Sequence, residues 1–326
     1  MSDAEALGSV LAAGGSSLAE GLQRTEARLG EVAEGHGPEL GRYATATLTA
    51  GGKRLRPMLV FLCGGGGGQL LRAGVAVELL HMASLVHDDV LDAAAMRRGV
   101  PTVFAGGGRA AAVATGDLLF SRAFAELRRT GSEPAVAALS EASSALARGE
   151  LVQRADAWSD SVTAERYLER CELKTASLFA ASCRLGALLG KEPSGADADA
   201  LGGFGRRIGL AFQILDDVLD VSGPSQRTGK HRGADLLDGT VTLPLILARR
   251  RDRKLAEMDL RQEVSDPTRA EAVCDRIART GALAAARDEA LAHVAEAKRE
   301  LADLDLPEAR LRALSLVADG VVERYA

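Results

Sequence analysis

The string Asp-Asp-Val-Leu-Asp occurs twice, at residues 88–92 and 216–220, each time inside apolar sequence. Leu85 and Val86 precede the first copy, and Phe212, Ile214 and Leu215 precede the second, so neither reads as a capped helix start. On a helix the first and last aspartates of each string stack one turn apart on the same face. Like charges so placed repel by roughly a few tenths of a kcal/mol even on an exposed helix, and by more between apolar flanks. Any fold that holds both strings has to offset that repulsion, and hard divalent cations do so. Magnesium takes oxygen ligands and is commonly held by one or two carboxylates together with substrate phosphates. Two facing strings therefore point to a diphosphate gripped through magnesium.

Alanine, leucine and arginine are frequent among the 326 residues, aromatics make up 3%, and β-branched runs are short, which favours helix over strand. The chain is expected to be all-α and is long enough for a sizeable core. A net charge of -5 argues against the clustered cationic surface that nucleic-acid binding needs. Cys63, Cys171, Cys183 and Cys274 have no C-x-x-C spacing and lie in apolar helical contexts, so they read as structural thiols of a reducing cytoplasm. The opening residues Ser2, Asp3 and Glu5 do not form a signal peptide, and no apolar run approaches the ~20 residues of a membrane span. A soluble, cytoplasmic protein is expected.

Helical periodicity runs through residues 4–48 as two helices, then through 70–91, 110–129, 134–158, 163–189, 197–221, 242–255, 267–301 and 307–324. Between the second and third of these, Gly51-Gly52-Lys53-Arg54-Leu55-Arg56-Pro57 frees the backbone, adds three cations and places a proline for a first helical turn, an anion-binding corner. The five glycines at residues 64–68 are costly inside a helix and are expected in a surface loop. The loop at 222–239 is long, carries Lys230, His231, Arg232, Asp235 and Asp238, and suits a lid. No disordered linker divides the chain, so residues 1–326 read as a single domain.

Set beside Gly51 to Pro57, Arg97-Arg98-Gly99, Lys174-Thr175 and Gly229-Lys230, the two aspartate strings make the chain resemble the trans-isoprenyl diphosphate synthases, or polyprenyl synthetases. The likeness spans roughly residues 40 to 245, with the motifs in the family's order. It looks most similar to bacterial long-chain members, through residues 80–89 (LHMASLVHDD) and through Asp235-Leu236 followed by Gly239-Thr240-Val241-Thr242-Leu243-Pro244. The resemblance implies an isoprenoid-synthase-type helical bundle around a central cavity and head-to-tail condensation of isopentenyl diphosphate with an allylic diphosphate. It implies that Asp88, Asp92 and Asp216 hold magnesium, three ions per active site, with Asp89, Asp217 and Asp220 in support. Arg97, Lys174 and Lys230 would contact the allylic diphosphate; Lys53, Arg56, His81 and Arg98 would clamp isopentenyl diphosphate. Lys174, Thr175 and Gln213 would border the carbocation. The released diphosphate would take the final proton.

Ala83 and Ser84, one turn before the first string, would lie under the reacting carbon. Both are small, so the expected product is longer than geranylgeranyl, with Leu80 as a possible floor; geranylgeranyl or farnesyl diphosphate is the alternative. Glu150 and Gln153 read equally as cavity lining and as helix surface and stay outside the expected site. His87 is left unassigned, because magnesium prefers oxygen. A class I terpene cyclase would need only one diphosphate clamp, and a non-catalytic subunit of a heteromeric synthase would not need both strings intact. A helical-repeat protein would show a period of tens of residues, which is lacking. The family implies a homodimer, for which residues 106–125 offer an apolar interface. The C-terminal residues 321–326 supply one cation, Arg324.

Overall fold

The computed structural model describes residues 3–49, 51–97, 99–190, 195–223 and 231–323. Asp3–Ala33 (α1), Pro38–Thr49 (α2), Leu55–Gly64 (α3) and Gly68–Leu91 (α4) lead to a two-stranded antiparallel hairpin of Met96–Arg97 (β1) and Val100–Pro101 (β2), with Met96 opposite Pro101. Val103–Arg128 (α5), Glu133–Ala155 (α6) and Ala164–Cys171 (α7) follow; a π-helical turn at Glu172–Ala176 then runs into Ser177–Leu189 (α8) and Gly195–Ser222 (α9). The rest comprises Ala234–Leu237 (α10), Leu243–Arg249 (α11), Arg253–Ala256 (α12), Leu260–Glu263 (α13), Pro267–Arg279 (α14), Ala282–Ala302 (α15) and Glu308–Glu323 (α16). The all-α expectation holds.

Helix ends follow local chemistry. Thr102, Ser132 and Thr163 each accept a backbone N–H three residues on, from Ala105 at 3.0 Å, Ala135 at 3.3 Å and Arg166 at 3.2 Å, which is N-capping. The glycine run does not interrupt a helix: α3 ends at Gly64, Gly65 closes it in the left-handed region at φ 66, and α4 starts at Gly68. Several sequence expectations change: only residues 65–67 of the glycine run lie between helices, Gly64 being buried in α3 and Gly68 opening α4, and residues 242–255 form α11 and α12, parted at residues 250–252. Residues 267–301 form two helices, because Thr280 closes α14 through bonds to the Ile277 carbonyl and Gly281 turns the chain at φ 76. Residues 163–189 do not form one regular α-helix, because the π-turn at 172–176 adds a residue to the turn.

Helix α4 is the centre of one apolar core. Val75, Ala76, Leu79, Leu80 and Ala83 are fully buried, packed among α3, α5 and α8. Helix α9 centres the other through Phe204, Ile208, Ala211 and Ile214, packed by α8 and α15. Phe61 and Leu188 pack against both cores. Contrary to the expectation that no apolar run would reach spanning length, α4 is long and apolar enough to cross a membrane by length and composition. Yet 67% of its most apolar window is buried inside the protein, as befits a central core helix.

The basic corner is held from below by Arg54. Its backbone is left-handed (φ 48), and its guanidinium, 6% exposed, donates to Glu78 at 2.6 Å, to the Leu48 carbonyl at 2.8 Å and to Glu26. Burial disfavours this charge, but Glu26 and Glu78 outweigh that cost. Removing one partner of a buried pair leaves the other uncompensated. Arg54→Met is therefore expected to cost about 3–5 kcal/mol in a urea unfolding titration; a loss below about 1 kcal/mol would show that the corner does not depend on this pair.

Candidate active site

Both aspartate strings lie at the C-terminal ends of their helices. Asp88 is in the last turn of α4, Asp92 follows its last residue, and Asp216 to Asp220 occupy the end of α9. The negative end of each helix dipole adds to the repulsion between neighbouring carboxylates. The two ends meet across a cavity of about 230 Å³ lined by Asp88, Asp92, Arg97, Gln153, Arg154, Arg170, Lys174, Thr175, Gln213, Asp216, Asp217, Asp235, Asp238 and Thr240, among others.

Within each string, some carboxylates are tied inward. Asp89 is buried and accepts from Arg97 Nε at 2.7 Å. Asp217 is buried and accepts from the Tyr167 hydroxyl and from Gln213 Nε2, both at 2.7 Å. Asp220 accepts the backbone N–H groups of Ala234 at 3.1 Å and Asp235 at 3.3 Å, which ties the returning loop to α9. Asp88, Asp92 and Asp216 border the cavity. Burial lifts the Asp88 carboxyl to about 6, with Lys174 pulling the other way and Glu150 and Asp92 adding to the rise. Burial, then Asp235, lifts Asp217 to about 8.

The π-turn supplies Lys174 and Thr175, and glycines on both flanking helices let it sit there. A β-carbon at Gly149 on α6 would lie 2.8 Å from the Lys174 nitrogen, and one at Gly209 on α9 would lie 2.7 Å from the Ala176 Cα, closer than packing allows. Thr175 Oγ1 donates to Gln213 Oε1 at 2.7 Å, continuing through Gln213 to Asp217. Lys174 Nζ donates to Glu150. Burial works against the Lys174 charge, but Asp88 and Glu150 outweigh it and hold its pKa above the usual lysine value.

The donor set is hard, since the cavity's anionic groups are all carboxylates. Among the described residues no three His, Cys, Asp or Glu side chains converge as a ready metal cage. An open set of carboxylates from two sides fits a cation that completes its shell with water and phosphate oxygens.

A polyprenyl synthetase family model matches residues 38–280. The chain belongs to the polyprenyl synthetase family. It is 38% identical to heptaprenyl diphosphate synthase component 2 of Geobacillus stearothermophilus, over 92% of this chain and 95% of that protein. It is 37% identical to the geranylgeranyl diphosphate synthase of Methanosarcina mazei, over 88% of this chain and 90% of the other. Among solved structures, a polyprenyl synthase from Caulobacter crescentus complexed with calcium and isoprenyl diphosphate matches with a TM-score of 0.89 at 32% identity, over 98% of each chain. As a member of this family the chain is a prenyltransferase.

In this polyprenyl synthetase the cavity gathers Asp88, Asp92, Asp216, Asp217, Arg97, Lys174, Thr175 and Gln213 from the residues read in the sequence. Asp89 and Asp220 stand behind it in the bonds above. Lys53 and Arg56 do not line this cavity. Lys53 and Phe212 line a separate apolar hollow of about 70 Å³, and Arg56 stacks 4.6 Å over Phe179, whose ring is 5.5 Å from Phe212. Phe212 and Gln213, adjacent in sequence, thus border the two spaces. His81 does not line the cavity; its carbonyl accepts from Ser84 Oγ at 2.8 Å. Leu80 and Ala83 are fully buried and, like Ser84, do not border it. His87 turns to α5, stacking on Phe120 at 5.5 Å with Asp117 at 3.5 Å. Arg98 and Lys230 lie outside the described residues.

Several residues in and around the cavity lie outside the site expected from the sequence. Glu150 and Gln153, set aside in the sequence, face Lys174 and the cavity respectively. Asp235 and Asp238 reach it because residues 233–239 are pinned by Asp220 and by Trp158, whose backbone N–H donates to the Gly239 carbonyl at 2.8 Å. Arg154 and Arg170, which line the cavity, and the buried Tyr167 behind Asp217 carried no local signal, being brought in only by tertiary packing.

The raised carboxylates fix a pH dependence. A folded pKa above the unfolded value means that the folded state binds more protons, so these groups lower stability as pH rises from about 4 to about 6 for Asp88 and on to about 8 for Asp217. In chelator, the melting temperature is expected to fall by a few degrees between about pH 5.5 and about pH 8, and Asp217→Asn is expected to flatten that fall. A wild-type curve that is level or rising across this window would contradict the assignment.

Proposed function

We propose that this chain condenses isopentenyl diphosphate head-to-tail with an allylic diphosphate to give an all-trans polyprenyl diphosphate longer than geranylgeranyl. The observation that carries the reading is the convergence of both aspartate strings with Lys174, Thr175 and Gln213 on one cavity. Asp88, Asp92 and Asp216 would hold magnesium, three ions per site, which neutralises the leaving diphosphate when bound. Asp89, Asp217 and Asp220 keep the strings in place through their inward bonds. Arg97, Lys174 and Lys230 grip the allylic diphosphate, and departure of that group leaves an allylic cation. The Thr175 hydroxyl, the Gln213 amide oxygen and the Lys174 backbone carbonyl stabilise the cation without trapping it, because none is a strong nucleophile.

Isopentenyl diphosphate binds at Lys53, Arg56, His81 and Arg98, and its double bond attacks from the side of Phe212. The stacking of Arg56 on Phe179 and the position of Lys53 beside Phe212 support that side for it. The new carbon–carbon bond forms, and the released diphosphate takes the proton. Likeness to a heptaprenyl enzyme supports the longer product. Likeness to a geranylgeranyl enzyme supports the shorter alternative, with the floor at Leu80.

We further propose that residues 1–326 act as one domain, because Phe61 and Leu188 join both cores. A cytoplasmic setting is supported by four buried free cysteines. A homodimer through α5 is supported by Val113, 39% exposed on that helix. The alternative assembly is a heteromer, favoured by the relative designated component 2; light scattering on the isolated chain distinguishes them, a two-chain mass supporting the homodimer.

Incubation with magnesium, isopentenyl diphosphate and each of dimethylallyl, geranyl, farnesyl and geranylgeranyl diphosphate, read by mass spectrometry, is expected to give prenols longer than geranylgeranyl. A stop at geranylgeranyl would select the shorter alternative, and no elongation would sink the assignment. Asp88→Ala is expected to lower kcat by about 10³-fold or more with folding unchanged, several kcal/mol of lost charge stabilisation.

A further inference from the structure

A chain of ion pairs enters the cavity from α6 through Glu150 and Arg154, two residues with no part in the reaction as described. Arg154 Nη2 donates to Asp92 Oδ1 at 2.6 Å, and Arg154 Nε donates to Glu150 Oε1 at 3.0 Å, one turn earlier on the same helix. The other Glu150 oxygen accepts from Lys174. Glu150 is thus used from both sides: one oxygen holds the lysine of the π-turn and the other holds the arginine.

The placement is built by the backbone rather than by chance contact. Gly149 allows α6 to lie against the Lys174 backbone, which brings Glu150 within reach of the lysine and points the next turn of α6 at the end of α4. Glu150 is 15% exposed, whereas Arg154 and Asp92 are 41% and 35% exposed at the cavity mouth. The outer link is therefore solvent-accessible and exchangeable, and the inner one is held.

Asp92 is one of the carboxylates that would hold a divalent cation, so this inference rests on the function proposed above. A guanidinium already bonded to Oδ1 and an incoming cation repel each other and compete for the same carboxylate. When displaced, Arg154 keeps Glu150 as its acceptor and stays at the mouth. We propose that Arg154, tethered by Glu150, is a built-in counterion for Asp92 that a divalent cation has to displace, so that this pair on α6 sets the metal affinity of the cleft. Arg154 is a positioning residue here, acting through Asp92 and not on the substrate.

The test is Mn²⁺ binding to the full chain, followed by electron paramagnetic resonance in the presence of inorganic diphosphate. Arg154→Gln is expected to bind Mn²⁺ about threefold to tenfold more tightly than wild type, the scale of releasing a partly exposed charge-assisted pair. Arg148→Gln removes the same charge from an exposed position on α6 and is expected to change affinity by less than about twofold at ordinary salt, because screening acts over about 10 Å. A merely structural role for Arg154 would weaken Mn²⁺ binding on its removal. Binding no tighter than wild type, or no tighter than Arg148→Gln, in a preparation whose wild type makes product overturns the counterion alone. A wild type that neither binds Mn²⁺ nor makes product overturns both it and the proposed reaction.

Discussion

The structure depends on a surplus of negative charge placed where two helices are least able to bear it. Helices α4 and α9 both end in aspartates at the negative pole of their dipoles, and the two ends face each other over one cavity. Several string carboxylates are tied into the surrounding structure, Asp89 by Arg97, Asp217 by Tyr167 and Gln213, and Asp220 by two loop N–H groups. Those bonds hold the strings rigid while Asp88, Asp92 and Asp216 border the open space. The arrangement is costly without cations and favourable with them, which is what a site for a metal-bound diphosphate requires.

Backbone geometry serves the same end. The π-turn at residues 172–176 is pressed between Gly149 and Gly209, so two helices approach it more closely than any side chain would allow. Lys174 and Thr175 thereby leave one short segment toward the cavity, the lysine toward Glu150 and the threonine toward Gln213. Such insertions recur at functional sites because they redirect side chains without ending a helix.

Much of this was legible in the sequence, because the strings combine a charge pattern with apolar flanks that only buried helices satisfy. The residues that form the lysine and threonine motif, the basic corner and the long loop could be read in order. The π-turn could not, since periodicity does not distinguish it from continuous helix over 163–189. The break at Gly281 was missed because apolar spacing continues across it, although glycine and the preceding threonine carry a stop signal. Glu150 looked like helix surface because its partners, Lys174 and Arg154, belong one to another element and one to the next turn. Tyr167 was invisible for the same reason: its hydroxyl finds Asp217 only after α7 packs on α9.

The most direct test of the two-string clamp is a crystal structure soaked with Mn²⁺ and a non-hydrolysable allylic thiolodiphosphate, with the metal located by anomalous scattering. Metal peaks bridging the analogue's phosphates to Asp88 and Asp92 on one side and to Asp216 on the other are the predicted result. A diphosphate bound beside Lys53 and Arg56 with no metal at either string, or metal on one string alone, would contradict it.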